Sequence, residues 1–313
     1  MEEEQKEQSE KTKVSIISKI KNIYEKDYKK LLIIPIILLI LAILQISIQT
    51  INTGDFINKG VSLKGGITAT IPTQEDVGLD KIEKELSSSF PENDISVRSL
   101  SKAASQIGVI IEIDIDPNNK EEVDSFLNKI GTYFNIKREQ FTIEIIGSSL
   151  GRSFFREALT ALILAFIFMA IAVFFYFKTL VPSATVVLCV LSDIIVTIAT
   201  VNLIGIKLST AGLAAFLMLI GYSVDTDMLL TARVLRGKEG TVLDRTYSSI
   251  KTGILMTTTT ITAVTVGFIF TQSEVIKQIM LIVIIGMFAD SIYTWIQNAA
   301  ILRIYMYKKH KAL

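Results

Sequence analysis

Residues 213–233 read LAAFLMLIGYSVDTDMLLTAR, an apolar stretch of helical length that contains two aspartates. About 20 apolar residues are enough for a helix to cross the hydrocarbon core of a membrane. Asp225 and Asp227 lie inside this stretch, where insertion scales put the cost of an ionisable side chain at about 2.5–3.5 kcal/mol. Such residues are candidate functional groups, so this stretch bears on both the fold class and the function.

The composition of the whole chain fits a membrane protein. Half of the 313 residues are hydrophobic and 20% are charged, and the mean hydropathy is +0.47. These figures agree if the charges are concentrated in separate stretches. The net charge of +1 argues against a nucleic-acid partner. Cys189 is the only cysteine, so an intramolecular disulfide is excluded, and neither a metal site nor a cofactor is expected.

Six apolar segments are predicted to span the membrane as helices, at about 31–50, 154–177, 180–203, 209–231, 250–271 and 278–305. Lysine and arginine concentrate before the first span, in the loop after the fourth and after the sixth, whereas the opposite short loops carry only Lys207 and Lys277. Because cytoplasmic loops are rich in these residues, the pattern predicts a multi-pass protein of the cell (cytoplasmic) membrane with both termini cytoplasmic. The first span lacks a following cleavage site and is predicted to be a retained anchor.

The polar region between the first two spans is predicted to be a ferredoxin-like extracytoplasmic domain. Strand-like patterns at 67–71, 94–100, 106–116 and 141–146 are interleaved with helical patterns at 78–90 and 121–134. The order β-α-β-β-α-β predicts two helices on one face of an antiparallel sheet. Many functions share that fold, so it does not indicate what the domain binds. The predicted organisation is a disordered N-terminus at 1–30, a first transmembrane helix at 31–50, the domain at 51–150, a five-helix bundle at 151–306 and a basic tail at 307–313.

Four aspartates lie inside the predicted spans: Asp193 in the third, Asp225 and Asp227 in the fourth, and Asp290 in the sixth. Helical residues two apart point about 200° apart, so Asp225 and Asp227 do not share one partner. Lys251 enters the fifth span at nearly the depth of Asp227, which predicts a carboxylate–ammonium pair. Two interpretations stay open, hydrogen-bonding between helices and an ion-conducting relay. The relay is favoured for the aspartates, because Ser or Asn could join helices without an ionisable group.

Four stretches together resemble the motifs of a known family in their order and spacing. They are GVSLKGG (60–66), GSSLGRSFFREAL (147–159), LSDIIVTIA (191–199) and GYSVDTDMLLTARVLR (221–236). The family is SecF, the six-span partners of SecD in the general protein-export machinery, within the resistance-nodulation-division (RND) superfamily. The motif residues are Gly60, Gly65, Gly66, Gly221, Tyr222 and Ser223. From the residues alone, the first three glycines also fit a tight turn before a strand.

The sequence departs from the family's motifs at three positions, with Ser148 for a proline, Ser192 for a histidine and Thr226 for the fourth-span aspartate of the bacterial form. Asp225 and Asp227 flank that last position. Asp225 also matches the aspartate of the related SecD signature, so the resemblance ranks it first for proton binding. Lys251 corresponds best to the family's fifth-span arginine, which is implied in proton transport, whereas Asp290 has no counterpart.

The resemblance implies a non-enzymatic accessory subunit of the Sec protein translocase. Such a subunit acts with SecD beside the Sec translocon channel and uses the proton or sodium gradient to promote export or release of unfolded polypeptides. The implied partners are SecD, the channel, the exported polypeptide and membrane lipid. Three alternatives stay open: a passive assembly or insertion scaffold, one half of an RND-type small-molecule transporter, and an intramembrane aspartyl protease that uses the V-D at 224–225 and the A-D at 289–290.

Overall fold

The computed structural model describes residues 24–73, 78–102, 105–271 and 273–311. The helices in this part of the chain are α1 (Tyr28–Thr53), α2 (Val61–Lys64), α3 (Leu79–Ser89), α4 (Lys120–Phe134), α5 (Ser148–Phe177), α6 (Leu180–Leu203), α7 (Thr210–Arg236), α8 (Val242–Phe270), α9 (Glu274–Ile292) and α10 (Ala299–Lys311). A π-helical segment, Tyr293–Asn298, joins α9 to α10. Most of the predicted disordered N-terminus, residues 1–23, lies outside the described residues, as do the last two residues of the predicted basic tail.

Six helices in the described part of the chain are long and apolar enough to cross a membrane. They are α1, α5, α6, α7, α8 and the span Val275–Lys309, which runs from α9 through the π-helical segment into α10. Some helices begin earlier than the apolar windows predict, at Ser148 for α5 and at Val242 for α8. The additional residues are more polar, because a helix can continue past the hydrocarbon core into the region where polar side chains are solvated. At α8 a capping box fixes the start, because Thr241 and Asp244 exchange hydrogen bonds between side chain and backbone.

A small antiparallel sheet lies between α1 and α5. Its four strands in the described residues are β1 (Gly66–Pro72), β2 (Ile95–Lys102), β3 (Ser105–Ile113) and β4 (Thr142–Ile146). They are ordered β2-β3-β1-β4 across the sheet, and Ala69 of β1 lies opposite Ile111 of β3 and Ile143 of β4. With α3 after β1 and α4 after β3, the observed order of elements is β-α-β-β-α-β.

The core of this domain lies between one face of the sheet and its two helices. Alternation along β1 turns Ile67, Ala69 and Ile71 inward, and each of them is fully buried. Helical spacing brings Leu86 of α3 and Phe126 of α4 onto the same cluster. Each buried side chain of this size stabilises the fold by about 1.5–3 kcal/mol, and the domain folds around this core without a disulfide.

The membrane helices form a central and a peripheral group. Helices α6 and α7 and the last span are about half buried or more, whereas α1, α5 and α8 are largely exposed. Apolar residues such as Phe216 and Leu219 of α7 and Ile282 of α9 fill the centre. The exposed faces of α1 and α5 carry many large apolar side chains, as expected of surfaces in contact with lipid.

The segment GVSLKGG joins the domain to the bundle through close backbone contacts. Gly65 and Gly66 have φ values of +93° and +139°, which L side chains rarely adopt. A Cβ at Gly65 would lie 2.4 Å from Ser148 Cα, at the start of α5. The Gly60 amide donates to the Leu208 carbonyl at 2.8 Å, in the loop between α6 and α7. The glycines therefore permit both a turn and a close approach between backbones.

Candidate functional site

Asp193 lies at the centre of the bundle on α6, and its side chain is fully buried. Ser223 of α7 donates its hydroxyl hydrogen to Asp193 Oδ2. The other carboxyl oxygen, Oδ1, is buried and has no hydrogen-bond partner among the described residues. Ser223 of the predicted motif thus forms a hydrogen bond with Asp193, the predicted third-span aspartate.

Asp290 of α9 faces the same region and is 3% exposed. Thr226 Oγ1 of α7 lies 3.0 and 3.1 Å from the two carboxyl oxygens of Asp290. Thr294 Oγ1, one turn further along the last span, donates to Asp290 Oδ1 at 3.0 Å. Two helical elements therefore supply hydroxyl groups to this carboxylate.

Asp227 is the third buried carboxylate and lies on α7 with no exposed surface. Asn298 Nδ2 donates to Asp227 Oδ1 at 2.7 Å and also reaches Thr231 Oγ1 at 3.4 Å. The Asp227 Oδ2 and Asn298 Oδ1 atoms are buried without a partner in the described part of the chain. Two of the three carboxylates thus keep an acceptor atom without a donor among the residues that the structure describes.

The π-helical segment carries two of the side chains that donate hydrogen bonds to the carboxylates. Thr294 lies near its start and bonds Asp290, and Asn298 lies at its end and bonds Asp227. π-Helical turns inserted in α-helices are frequent at functional sites. Trp295, between these two residues, packs against α8 where Gly253 leaves space, since a Cβ there would lie 2.1 Å from the indole ring. Packing against α8 thus helps to define the position of the segment.

The three carboxyl groups interact electrostatically with one another, and none of them forms an ion pair with a basic side chain among the described residues. We call Asp193, Asp227 and Asp290 the carboxylate cluster. In the described part of the chain, no group of three His, Cys, Asp or Glu residues is arranged to hold a metal ion. Chemically, the cluster is a set of carboxyl groups, each of which can take up or release a proton.

The predicted pair between Lys251 and Asp227 was wrong. The buried face of α8 carries Ser249 and Gly253. Lys251 lies two residues from each of these, about 200° around the helix, and its side chain is exposed. Among the residues that the structure describes, the buried basic side chain is instead Arg303 of α10, which sequence reasoning missed.

Arg303 does not contact the carboxylate cluster. Its guanidinium donates to the carbonyls of Tyr24 and Glu25 at 2.8 and 2.9 Å and lies 4.0 Å from the ring centre of Tyr28. The Tyr24 hydroxyl in turn donates to the Trp295 carbonyl in the π-helical segment at 3.0 Å. Burial raises the pKa of Tyr24 to about 12, against a smaller opposing effect of Arg303. Arg303 therefore attaches the segment before α1 to the last span.

Asp225 and Asp227 point in different directions, as helical geometry predicts. Asp225 is exposed on the outer surface of α7, as are Gly221 and Tyr222 of the same motif. The structure thus places Asp227 rather than Asp225 with the other two carboxylates, although the resemblance ranked Asp225 first. A sequence signal did exist for the missed residues of the last span, because TWIQN places Thr294, Gln297 and Asn298 in an otherwise apolar stretch.

Fold and site together define a class of protein. The chain is a membrane protein with six candidate spans among its described residues, a small α+β domain between the first two of them and three buried acidic side chains in its bundle. Residues 127–308 match the family described as protein export membrane protein SecD/SecF, C-terminal.

Protein-export membrane protein SecF of Pyrococcus furiosus is 39% identical over 94% of this chain and 96% of its own length. SecF of Methanocaldococcus jannaschii is 36% identical over 90% of this chain and 96% of its own length. The chain belongs to the SecF family of protein-export membrane proteins.

A solved structure shares the fold. The crystal structure of SecDF from Thermus thermophilus, described as a translocon-associated membrane protein, superposes with a TM-score of 0.69 at 15% identity. The match covers 90% of this chain and 38% of the SecDF chain. This chain therefore spans well under half of the length of SecDF.

Proposed function

We propose that this chain is a non-enzymatic subunit that acts with a SecD-type chain and uses the proton or sodium gradient to promote export or release of polypeptides across the cell membrane. One observation carries the proposal. Asp193, Asp227 and Asp290 converge from three helices in the centre of the bundle, and no basic side chain accompanies them among the described residues.

The energetics support a role of the three aspartates in exchanging charge rather than in joining helices by hydrogen bonds. Three buried ionisable side chains cost about 7.5–10.5 kcal/mol on insertion scales, whereas an interhelical hydrogen bond contributes about 0.6 kcal/mol. Ser223, Thr226 and Asn298 could join the helices without any carboxylate. Like charges at close range in a low dielectric are not all ionised together, so protons or a small cation must balance them.

The membrane potential supplies enough free energy to change the state of such a cluster. One elementary charge moved through 100 mV corresponds to about 2.3 kcal/mol, which shifts a two-state equilibrium by more than tenfold. Asp193, Asp227 and Asp290 lie on three different helices, so a change in their charge alters the packing of α6 and α7 against α9. The ion gradient would drive that rearrangement.

A partner chain is inferred from polar side chains on the outer surface of the bundle. Asp225 of α7 is exposed, and so are Lys251, Thr258 and Thr262 of α8. Lipid solvates an ionisable group poorly, so we infer that another protein covers Asp225 and Lys251. The similar SecDF chain continues well beyond the part matched here. This supports a SecD-type chain as the protein that packs against the exposed polar side chains of α7 and α8.

The four-stranded unit is proposed to be a ferredoxin-like domain on the outer side of the membrane. Its strand order and its two helices on one face support that fold. The asymmetry of lysine and arginine supports cytoplasmic termini, which leaves the domain outside. There it would meet polypeptide that emerges from the Sec channel.

The geometry also bears on the other candidate functions. An aspartyl protease needs two facing carboxyl groups, whereas Asp225 is exposed on α7 and Asp290 is buried against Thr226. A passive scaffold accounts for the hydroxyl groups but not for unpaired carboxylates. An RND-type small-molecule transporter half is disfavoured by the protein-export names of the similar proteins.

The test compares Asp227→Asn and Asp290→Asn with a control in the outer domain, Asp124→Asn. Asp124 forms an exposed ion pair with Arg138 at 3.0 Å and lies outside the bundle. The recovery of the complex with the SecD-type chain and the rate of gradient-dependent export are both measured. We expect about tenfold or greater loss of gradient-dependent export in the two bundle variants, with normal complex recovery and an unaffected control.

Two outcomes would contradict the proposal. Export at the wild-type rate in both bundle variants, with the complex intact, would reject the carboxylate cluster as the coupling site. Loss of complex recovery before any loss of export would favour the passive scaffold.

A further inference from the structure

Two kinds of contact join the outer domain, with the segment before it, to the bundle. One is the glycine joint described above, where the backbone around Gly65 lies against the start of α5. The other is an ion pair, in which Lys207 of the α6–α7 loop donates to Asp94 Oδ1 at 2.7 Å. A joint of close backbone contacts suits a pivot, whereas a partly exposed ion pair is a contact that can be made and broken.

Asp94 is the centre of the second contact. It lies just before β2, and its other carboxyl oxygen accepts from Lys64 Nζ at 3.2 Å. Burial alone raises the pKa of this carboxyl, but the hydrogen bonds and charges of Lys207 and Lys64 outweigh burial and hold the pKa below its usual value. The Asp94 amide also donates to Asp114 Oδ1 at 2.7 Å. The ion pair is therefore connected to the sheet.

The loop forms hydrogen bonds with Asn58, Gly60 and Ser62 in the segment before β1. Its hydrogen bonds to the start of β2 come from Lys207, which donates to Asp94 and to the Ile95 carbonyl. A cavity of about 360 Å³ lies beside the ion pair, and besides Asp94, Lys64 and Lys207 its lining includes the pair Lys59 and Asp55. Because the space is not filled by packed side chains, the domain can shift here without breaking an apolar core.

Gln278 of α9 holds the loop that carries Lys207. Its Nε2 donates to the Lys207 carbonyl at 2.7 Å, and its Oε1 accepts from the Ser209 amide at 3.1 Å and from the Ser209 hydroxyl. Gly212 permits this approach, since a Cβ there would lie 2.9 Å from Gln278 Oε1. Both ends of the carboxamide are used, so the loop is tied to the N-terminal part of α9.

Helix α9 also carries a member of the carboxylate cluster. Asp290 follows Gln278 by twelve residues on the helix Glu274–Ile292, a distance of about 18 Å at 1.5 Å per residue. Both residues lie on one α-helix without an interruption between them. A displacement of α9 caused by a change of charge at Asp290 is thus delivered to the loop.

We propose that α9 transmits the charge state of the carboxylate cluster to the outer domain, through Gln278 to the loop and through Lys207 to Asp94. The transmission rests on the proposed function, in which the cluster is the ion-coupling site. Gln278, Lys207 and Asp94 act as positioning residues. They set the orientation of the domain about the glycine joint and bind no ion themselves.

The experiment uses the full chain with its SecD-type partner in lipid bilayers, in a Cys189→Ala background. Spin labels at Lys84→Cys on α3 and Leu180→Cys on α6, both exposed, report the distance between domain and bundle. Infrared bands of protonated carboxyl groups report titration of the cluster. Asp290→Asn mimics the protonated, neutral state of Asp290. It is then combined with substitutions of Gln278 and Lys207, the transmitting residues.

We expect Asp290→Asn to shift the label distance distribution when the transmitting residues are intact. Gln278→Ala, Gln278→Glu and Lys207→Ala should abolish at least about four-fifths of that shift, while the cluster still titrates. Gln278→Glu keeps an acceptor for Ser209 and loses the donor to the Lys207 carbonyl. Lys207→Arg should restore the shift, and the control Asp124→Asn should leave it unchanged.

The possible failures are distinguishable. A full shift in Gln278→Ala and Lys207→Ala, with normal titration, overturns the transmission route and leaves the proposed function intact. A cluster that does not titrate in any chain overturns the proposed function, and the route falls with it. Titration without any domain shift in the otherwise unchanged chain overturns the route alone.

Discussion

The glycine joint offers a quantitative test of how the four-stranded domain is attached to the bundle. Gly65 has φ +93° and ψ 160°, a region that essentially only glycine occupies and that costs about 1–3 kcal/mol for other residues. In Gly65→Ala, the new Cβ would also lie 2.4 Å from Ser148 Cα and 2.6 Å from Ser148 N. Backbone atoms at the start of a long helix do not yield easily, and overpacking of this kind costs about 1–3 kcal/mol. The expected destabilisation is about 2–6 kcal/mol.

Gly54 is a matched control for this substitution. It ends α1 with φ +76°, and nothing lies within 4 Å of a Cβ built there. Gly54→Ala therefore incurs only the left-handed backbone cost, about 1–2 kcal/mol. The difference between the two variants isolates the contact with α5.

The assay is the apparent Tm of the purified full chain at one scan rate, with limited proteolysis to locate the opened region. At about 2 °C per kcal/mol, Gly65→Ala should lower Tm by about 4–12 °C, and Gly54→Ala by about 2–4 °C. Proteolysis in Gly65→Ala should appear at the junction of domain and bundle. Equal Tm changes in the two variants would refute the close approach and leave GVSLKGG as a simple turn.

Three further predictions concern other contacts. Gly253→Ala places a Cβ 2.1 Å from the ring of Trp295 and should destabilise the folded protein by about 1–3 kcal/mol. Trp295 is the only tryptophan in the sequence, so the tryptophan emission spectrum should change, and an unchanged spectrum would contradict the packing. Arg303→Ala should release the backbone of Tyr24 and Glu25, seen as faster amide hydrogen exchange before α1, whereas the exposed Arg138→Ala should not. The contact of Asp94 with Lys207 and Lys64 should persist above about pH 4 and be lost as pH falls through the lowered pKa of Asp94. Domain–bundle label distances that change below about pH 4 equally in Asp94→Asn and in Asp124→Asn would contradict this prediction.

The sequence alone determined the features that depend on local pattern. Six apolar segments predict six spans because the thickness of the bilayer fixes the length of a helix that crosses it. Alternation and helical spacing predict the order of strands and helices between the first two spans, and the structure has that order. The 100° turn per residue separates Asp225 from Asp227 whatever surrounds them. Each of these follows from a stretch of neighbouring residues.

Tertiary structure decided which polar groups meet. The choice of Asp227 over Asp225 as the buried carboxylate, and the exposed position of Lys251, depend on which face α7 and α8 turn toward their neighbours. The approach of Asp193, Asp227 and Asp290 joins residues from three helices that are far apart in the chain. Asn298 reaches Asp227 from a π-helical segment that the apolar pattern does not reveal. Helix rotation and register are set by packing over the whole bundle, so no local stretch of sequence contains that information.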